Sequence, residues 1–349
     1  MVKVFTDINS VEENWDNIRD TIFLRIDFLK AFYNAHQKLK HLFIIDDNMR
    51  LYAHVFHLRF DRAKEYLLNN LVFSFILRFI NFKVLYLTNS FITNVPAFIT
   101  KKKISLKQVL NSIKEDYSLI VIPDFLFEEM QEKDSSYTKI EVEEEMVLEI
   151  KGEWKLFDDY ILALRSKYRK KINRVIINSS SLEVKLLDLH ELDLYTVDMQ
   201  KLFVQVIGSS RFKGSEFNVS CLHSLVEREL CKVYGYFLGD RIVGFSSEIE
   251  QDERLYSYYV GFDKSLNQSL SIYGRILIET IKHGIQLQKN KLLFGRTANE
   301  YKTNFGAIPI RSFVYIRANT KVLNFILKPL YYRLSIKPWK QRKPFKRVL

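Results

Sequence analysis

The spacing of apolar and polar residues changes several times along this chain, and the changes mark its elements. Residues 232–238, 241–250 and 254–262 are three strand-length stretches rich in Val, Ile, Phe and Tyr. Gly239-Asp240 joins the first two, and a two-residue hairpin turn needing positive φ suits that pair. Within 271–287 the apolar residues fall at 272, 276, 278, 281, 285 and 287, close to helical spacing. Residues 291–295 suit a short buried strand. A cationic stretch follows, helical from Ala298 onward. From 232 the chain therefore reads β, β, β, loop, α, β, α. This module can hold a pyrophosphate-bearing donor at a helix N-terminus and an acceptor at the strand ends.

The first half reads as another α/β unit. Residues 11–19 and 27–36 have helical spacing, and 41–46 with 51–60 form a hairpin around Asp47-Asn48. Residues 83–87 are strand-like, 106–114 helical, and 119–123 a continuous apolar run. A long strand is expected over 138–150, carrying acidic residues from Glu141 to Glu145. The apolar segment 66–80 reads as a core helix or as a lip that meets lipid. Gly152 opens a new helical pattern, so a boundary falls near 150. A chain of 349 residues suits two domains. The expected division is 1–150, 151–320, and a basic aromatic tail over 321–349.

Charge sharpens the picture of that tail. The net charge is +12, and 321–349 holds nine Lys/Arg with no Asp or Glu, interleaved with aromatics. Such a stretch suits an anionic membrane surface or, less well, a nucleic acid backbone. Two cysteines, Cys221 and Cys231, imply no disulfide framework and fit a reducing cytoplasm. The first residues are too polar for a signal peptide, and no uncharged apolar run is long enough to span a bilayer. The expected location is cytoplasmic, peripheral on the inner membrane face. The seven histidines show no metal spacing, and zincin, serine-hydrolase and P-loop motifs are missing. No metal is expected.

Several short motifs then fall in a telling order. Ser166-Lys167-Tyr168-Arg169-Lys170-Lys171-Ile172-Asn173-Arg174 is a basic helix ahead of the module. Ser269-Leu270-Ser271-Ile272-Tyr273-Gly274 opens the long helix. Gly295, Tyr301-Lys302 and Phe305-Gly306 follow the last strand. Over roughly 155–317 this arrangement resembles the acyl-CoA N-acyltransferase (GNAT) superfamily, in its FemAB-like branch. The resemblance implies an α/β (α+β) fold of tandem GNAT-like units, the first degenerate, with mixed, mostly antiparallel sheets flanked by helices. It implies an acyltransferase with no tightly bound cofactor. Acyl-CoA or acyl-carrier protein would be the donor, and an amine of a cell-envelope or lipid precursor the acceptor. The loop lacks the Gln/Arg-x-x-Gly-x-Gly/Ala signature of acetyl-CoA enzymes. A FemAB-type transferase using aminoacyl-tRNA, or a non-catalytic membrane or RNA adaptor, therefore stands as an alternative.

Site residues follow from what N-acyl transfer needs: a polarised carbonyl, a neutral amine and a proton route. The resemblance puts Lys302 over the transferred carbonyl; the other reading is a surface ion pair with Glu300. Tyr258, sharing a strand face with Tyr256, can protonate a leaving group, and Glu248 can relay a proton from the amine. Ser269, Ser271, Tyr273, Gly274 and Arg275 are the expected grip on donor phosphates. Arg169, Lys170, Arg174, Arg296 and Glu300 complete the substrate side. The loop 208–214 is placed to close over acceptor.

Overall fold

The structure is a computed structural model that describes residues 2–11, 15, 21–59, 81–92, 95, 98–100, 105–130, 135–208, 216–331 and 338–346. The segment 66–80 and most of the loop 208–214 lie outside the described residues, as does most of 11–19. Two compact units emerge. One gathers Met1–Val142, Ser210–Asn218 and Arg311–Lys337; the other gathers Glu143–Ser209, Val219–Ile310 and Pro338–Leu349.

In the first unit β1 (Lys3–Phe5), β2 (Lys40–Asp46), β3 (Met49–Arg59) and β4 (Asn81–Leu87) pair antiparallel in turn. The hairpin at Asp47-Asn48 is present. β5 (Phe98–Thr100) pairs with β3, and β6 (Leu119–Pro123) lies parallel to β4. Period-two alternation sorts the side chains of β2. Leu42 and Ile44 join Leu106, Val109 and Leu126 from the helices Leu106–Ser112 and Asp124–Glu129. His41 and Phe43 turn the other way, towards Tyr33 of the helix Ile26–Ala35. His36, His41 and His54 are buried there among rings, and His41 Nδ1 lies 2.8 Å from the Tyr52 hydroxyl. Burial pushes His36 and His41 down to about 4. Among the described residues no group of His, Cys, Asp and Glu could hold a metal.

The second unit begins with the 143–149 part of β7 (Thr138–Glu149). It adds β8 (Glu183–Leu186), β9 (Lys232–Leu238), β10 (Arg241–Gln251), β11 (Arg254–Phe262) and β12 (Lys291–Leu293). The order is β7-β12-β11-β10-β9-β8, antiparallel except for the β11–β12 pair. A last strand, β13 (Ile308–Ala318), pairs antiparallel with β6. The strand orders of the two units thus share one plan: antiparallel strands leading to one parallel pair, closed by an antiparallel strand. The fold class is the expected one, mixed and mostly antiparallel sheets flanked by helices.

Helices Ser166–Asn178 and Ile272–Gln286 cover one face of the second sheet. Ile172, Leu277, Ile281, Leu255, Leu292 and Phe305 fill the core between. The helix Leu189–Ile207 covers β11 from the other face, with Phe203 edge-on to Tyr259. Asp188 and Glu191 close its N-terminus as a reciprocal capping box.

The expected tail over 321–349 is corrected. Residues Lys321–Tyr331 form a helix of the first unit, and 338–346 are built into the second. The Phe345 ring packs against Trp154 and Tyr160, and Lys346 donates its backbone N–H to Ala163. Sequence composition reports charge, but it does not report that one aromatic inside a basic run has a pocket waiting. Deleting 338–349 should therefore lower the unfolding midpoint of the second unit. A shortened chain that melts like the full one would show that the segment contributes nothing to its stability.

Candidate active site

The ladder between β11 and β12 ends at Tyr256↔Leu293, although β11 continues to Phe262. Just beyond the end of the ladder, Ser247 of β10 stands opposite two residues, Tyr258 and Tyr259, and its hydroxyl bonds the Tyr259 backbone at both N and O. This bulge breaks the alternation that the sequence suggests for Tyr256, Tyr258 and Tyr259. The Tyr258 and Tyr259 rings meet edge to face at 4.7 Å. On the other side of the opening, the chain leaves β12 through Gly295, Thr297 and Ala298, all at positive φ. Thr297 and Ala298 are strained there, and such strain clusters at functional sites.

Lys302 lies at the foot of this loop, in the short helix Asn299–Lys302. It is only 2% exposed, unusual for a lysine. Its Nζ donates to the carbonyls of Gly295 at 3.0 Å and Arg296 at 2.7 Å. An ammonium has three N–H donors, so one remains for a ligand. Burial pulls this amine from 10.5 down to about 7, and the charges of Glu143 and Glu145 oppose that fall. The surface ion pair with Glu300 is not formed. Glu300 pairs with Arg342, whose guanidinium holds its carboxyl below the usual range.

Around Lys302 several polar groups await partners. Arg296 Nε and Asn299 Oδ1 are buried and have no hydrogen-bond partner among the described residues. Unsatisfied buried groups of this kind mark places where a ligand or water completes the structure. Asn299 Nδ2 and Trp339 Nε1 both donate to Glu144 Oε2, at 3.1 and 2.8 Å. Arg342 N donates to Thr303 Oγ1. The 338–346 segment thus braces the loop that carries Lys302. Glu145, buried and close enough to act on the charge of Lys302, is a candidate that the sequence marks only as part of an acidic run.

Other expected residues have partners of their own. Glu248 is not a strand-edge carboxylate: it is 2% exposed, and its Oε2 lies 2.9 Å from His283 Nδ1. The residues of the expected donor grip make internal contacts. Asn267 Oδ1 already accepts the Tyr273 N–H, the Ser269 hydroxyl donates to Leu266 O, and the Ser271 hydroxyl accepts from Asn178. Arg275 pairs with Glu279. A Cβ at Gly274 would stand 2.6 Å from the Tyr301 hydroxyl and 2.8 Å from Val175. Gly274 therefore admits neighbouring side chains, and its substitution would report packing rather than phosphate binding. In the basic helix, Lys167, Lys170, Lys171 and Arg174 are exposed and form a cationic stripe, whereas Arg169 turns back to Leu164 O.

Residues 164–303 match the family model for the acetyltransferase (GNAT) domain. The match supports an acyltransferase as the class of protein; GNAT enzymes generally take acyl-CoA as co-substrate. No curated protein matches the chain. Among solved structures it is similar to a conserved protein of unknown function from Bacteroides thetaiotaomicron, at 10% identity and TM-score 0.50, covering 84% of this chain and 90% of that one. It is similar to L-PGS from Bacillus licheniformis, at 10% identity and TM-score 0.50, over 87% of this chain and 96% of that one. A third is the C-terminal domain of a protein designated a lysylphosphatidylglycerol synthetase from Agrobacterium fabrum, at 8% identity and TM-score 0.50, over 90% and 94%. At these identities the likeness is one of fold. Among the described residues no helix is long and apolar enough to cross a membrane.

Proposed function

We propose that the protein transfers an acyl group from an activated ester or thioester to an amine, at the opening between β11 and β12. The observation that carries this reading is Lys302: a buried amine held by two carbonyls, with one N–H left over. A neutral amine attacks the donor carbonyl carbon and its oxygen gains negative charge. The free N–H of the Lys302 ammonium meets that oxyanion. The attack forms the C–N bond, and collapse of the tetrahedral intermediate re-forms the C=O bond and breaks the C–S or C–O bond. The proton lost by the amine reaches a carboxylate, for which Glu145 and Glu248 are the candidates. Tyr258 is placed at the bulge to protonate the leaving group. The β11–β12 ladder stops at Tyr256, and an extended donor arm is proposed to lie beyond it. Arg296 and Glu300 flank the entrance. The acceptor class that fits is an amine of a lipid or cell-envelope precursor, since two of the similar folds bear the name of, or are designated as, L-PGS or lysylphosphatidylglycerol synthetase.

Two donor classes remain, and one observation weighs between them. The start of the Ile272–Gln286 helix is engaged by Asn267, Val175 and Tyr301, which argues against a pyrophosphate seated at Ser269–Arg275. The exposed stripe of Lys167, Lys170, Lys171 and Arg174 suits a longer polyanion, which favours an aminoacyl-tRNA over acyl-CoA or an acyl-carrier protein. Replacing Lys167, Lys170 and Arg174 by Glu should weaken donor binding by tenfold or more at low salt, with a shallower salt dependence. Filter binding with tRNA beside calorimetry with CoA separates the donors. Unchanged affinity for both would remove the stripe from the site. Mass spectrometry of products formed by the whole protein from each donor, with amine lipids as acceptors, tests the reaction itself. No product from any donor would end the transferase reading of this chain.

A further inference from the structure

The helix Lys321–Tyr331 carries two apolar rows, and among the described residues only one of them has a partner. Leu327 and Tyr331 are buried against Phe82, Val84, Leu119 and Val314, and Leu323 packs beside them. Asn324 fixes the helix about its axis: its Oδ1 accepts from Ala318 N and its Nδ2 donates to Ser136 O. With the rotation fixed, Val322, Phe325, Ile326 and Pro329 follow the spacing of an outer helix face. Phe325 is 82% exposed, Val322 72% and Ile326 48%. A bulky aromatic held this far into water, between two aliphatic side chains, is a surface awaiting a partner.

The charge around this row selects the partner. Lys321 and Lys328 are exposed at its two ends, and residues 321–337 contain four Lys/Arg and no Asp or Glu. An apolar row with a lysine at each end, on a stretch without a carboxylate, is complementary to an anionic lipid surface. There the rings and aliphatic side chains enter the acyl boundary and the ammonium groups meet phosphate. A water-soluble protein partner would have to supply an apolar groove with an acidic rim on both sides. We propose that this helix lies in the interface of an anionic membrane, with Val322, Phe325 and Ile326 inserted and Lys321 and Lys328 at headgroup level. This surface belongs to the first unit and does not depend on the role of Lys302.

The test uses the full chain and vesicles of phosphatidylcholine with or without phosphatidylglycerol. Wild-type protein should co-sediment with the anionic vesicles and not with the neutral ones. The double substitution Phe325→Ser, Ile326→Ser should cut partitioning by tenfold or more, with far-UV circular dichroism and melting unchanged because both side chains face solvent. Lys321→Glu with Lys328→Glu should weaken binding most at low salt. Phe325→Trp should blue-shift in emission on adding anionic vesicles and be quenched by brominated acyl chains. Absence of wild-type binding, or equal binding by the serine variant, would overturn the proposal. So would sedimentation equilibrium showing that the serine variant splits a dimer, because the row would then be covered by a second copy.

Discussion

Lys302→Met should lower turnover by about a hundredfold while leaving donor affinity nearly unchanged. A cation facing the transferred carbonyl matters most when charge appears on that oxygen, which happens in the transition state. Removing one such donor typically costs about 10²–10³ in rate. Methionine keeps the length of the stem, so the packing around Thr303 and Phe305 changes little. The pH dependence carries the same signature. Folding lowers this amine to about 7, so its ammonium is present below that pH and lost above it. Wild-type turnover should therefore fall as pH rises through about 7 for as long as the ammonium is the working form. The sign for stability is opposite. Between about 7 and the ordinary lysine value the unfolded chain binds the proton and the folded chain does not, so stability rises with pH across that window. Below about 7 both states are protonated and the full cost of the buried charge is present. Lys302→Met should flatten this rise. A mutant with wild-type turnover, or an unchanged stability profile, would remove Lys302 from the chemistry or from the interior respectively.

Gly306→Val should destabilise the second unit by about 3 kcal/mol or more. Gly306 sits at φ +96°, where a β-branched residue costs roughly 1–2 kcal/mol in backbone strain. A Cβ there would also overlap the Phe345 ring. Displacing that ring loses its contacts with Trp154 and Tyr160, and burying such a side chain is worth roughly 1.5–3 kcal/mol. Denaturant unfolding followed by tryptophan emission reads the shift. The pair Gly306→Val and Phe345→Ala should be less than additive, because the second change removes the clash that the first creates. Full additivity would mean that Phe345 does not occupy the space over Gly306.

Much of the second unit was legible in the chain. The strands Lys232–Leu238 and Arg254–Phe262 have the bounds that the pattern predicts, and β10 and the helix Ile272–Gln286 differ from expectation by one residue at one end or both. These elements are long or strongly periodic, and a period survives any tertiary context. The Asp47-Asn48 hairpin was legible for the same reason, because turn chemistry is local. The bulge at Tyr258-Tyr259 was not. It depends on the Ser247 hydroxyl of the neighbouring strand, and a residue count along one strand cannot register a partner.

Within the site the same division holds. The family resemblance pointed to Lys302 through its place beside Tyr301 and Gly306, and composition located the exposed cations of the basic helix. It could not tell that Lys302 is buried or that Glu300 turns to Arg342. Nor could it tell that Arg275 answers Glu279 four residues on, or that Gly274 faces Val175 and Tyr301. Each of those outcomes is a choice between partners, settled by which side chains the fold brings within about 3 Å. The sequence by itself determined the periodic elements, their order and the presence of cation-rich segments, because these rest on local geometry and composition. Only the tertiary structure decided which cations are buried, which are paired and which face water, because desolvation and hydrogen bonding are set by neighbours distant in the chain.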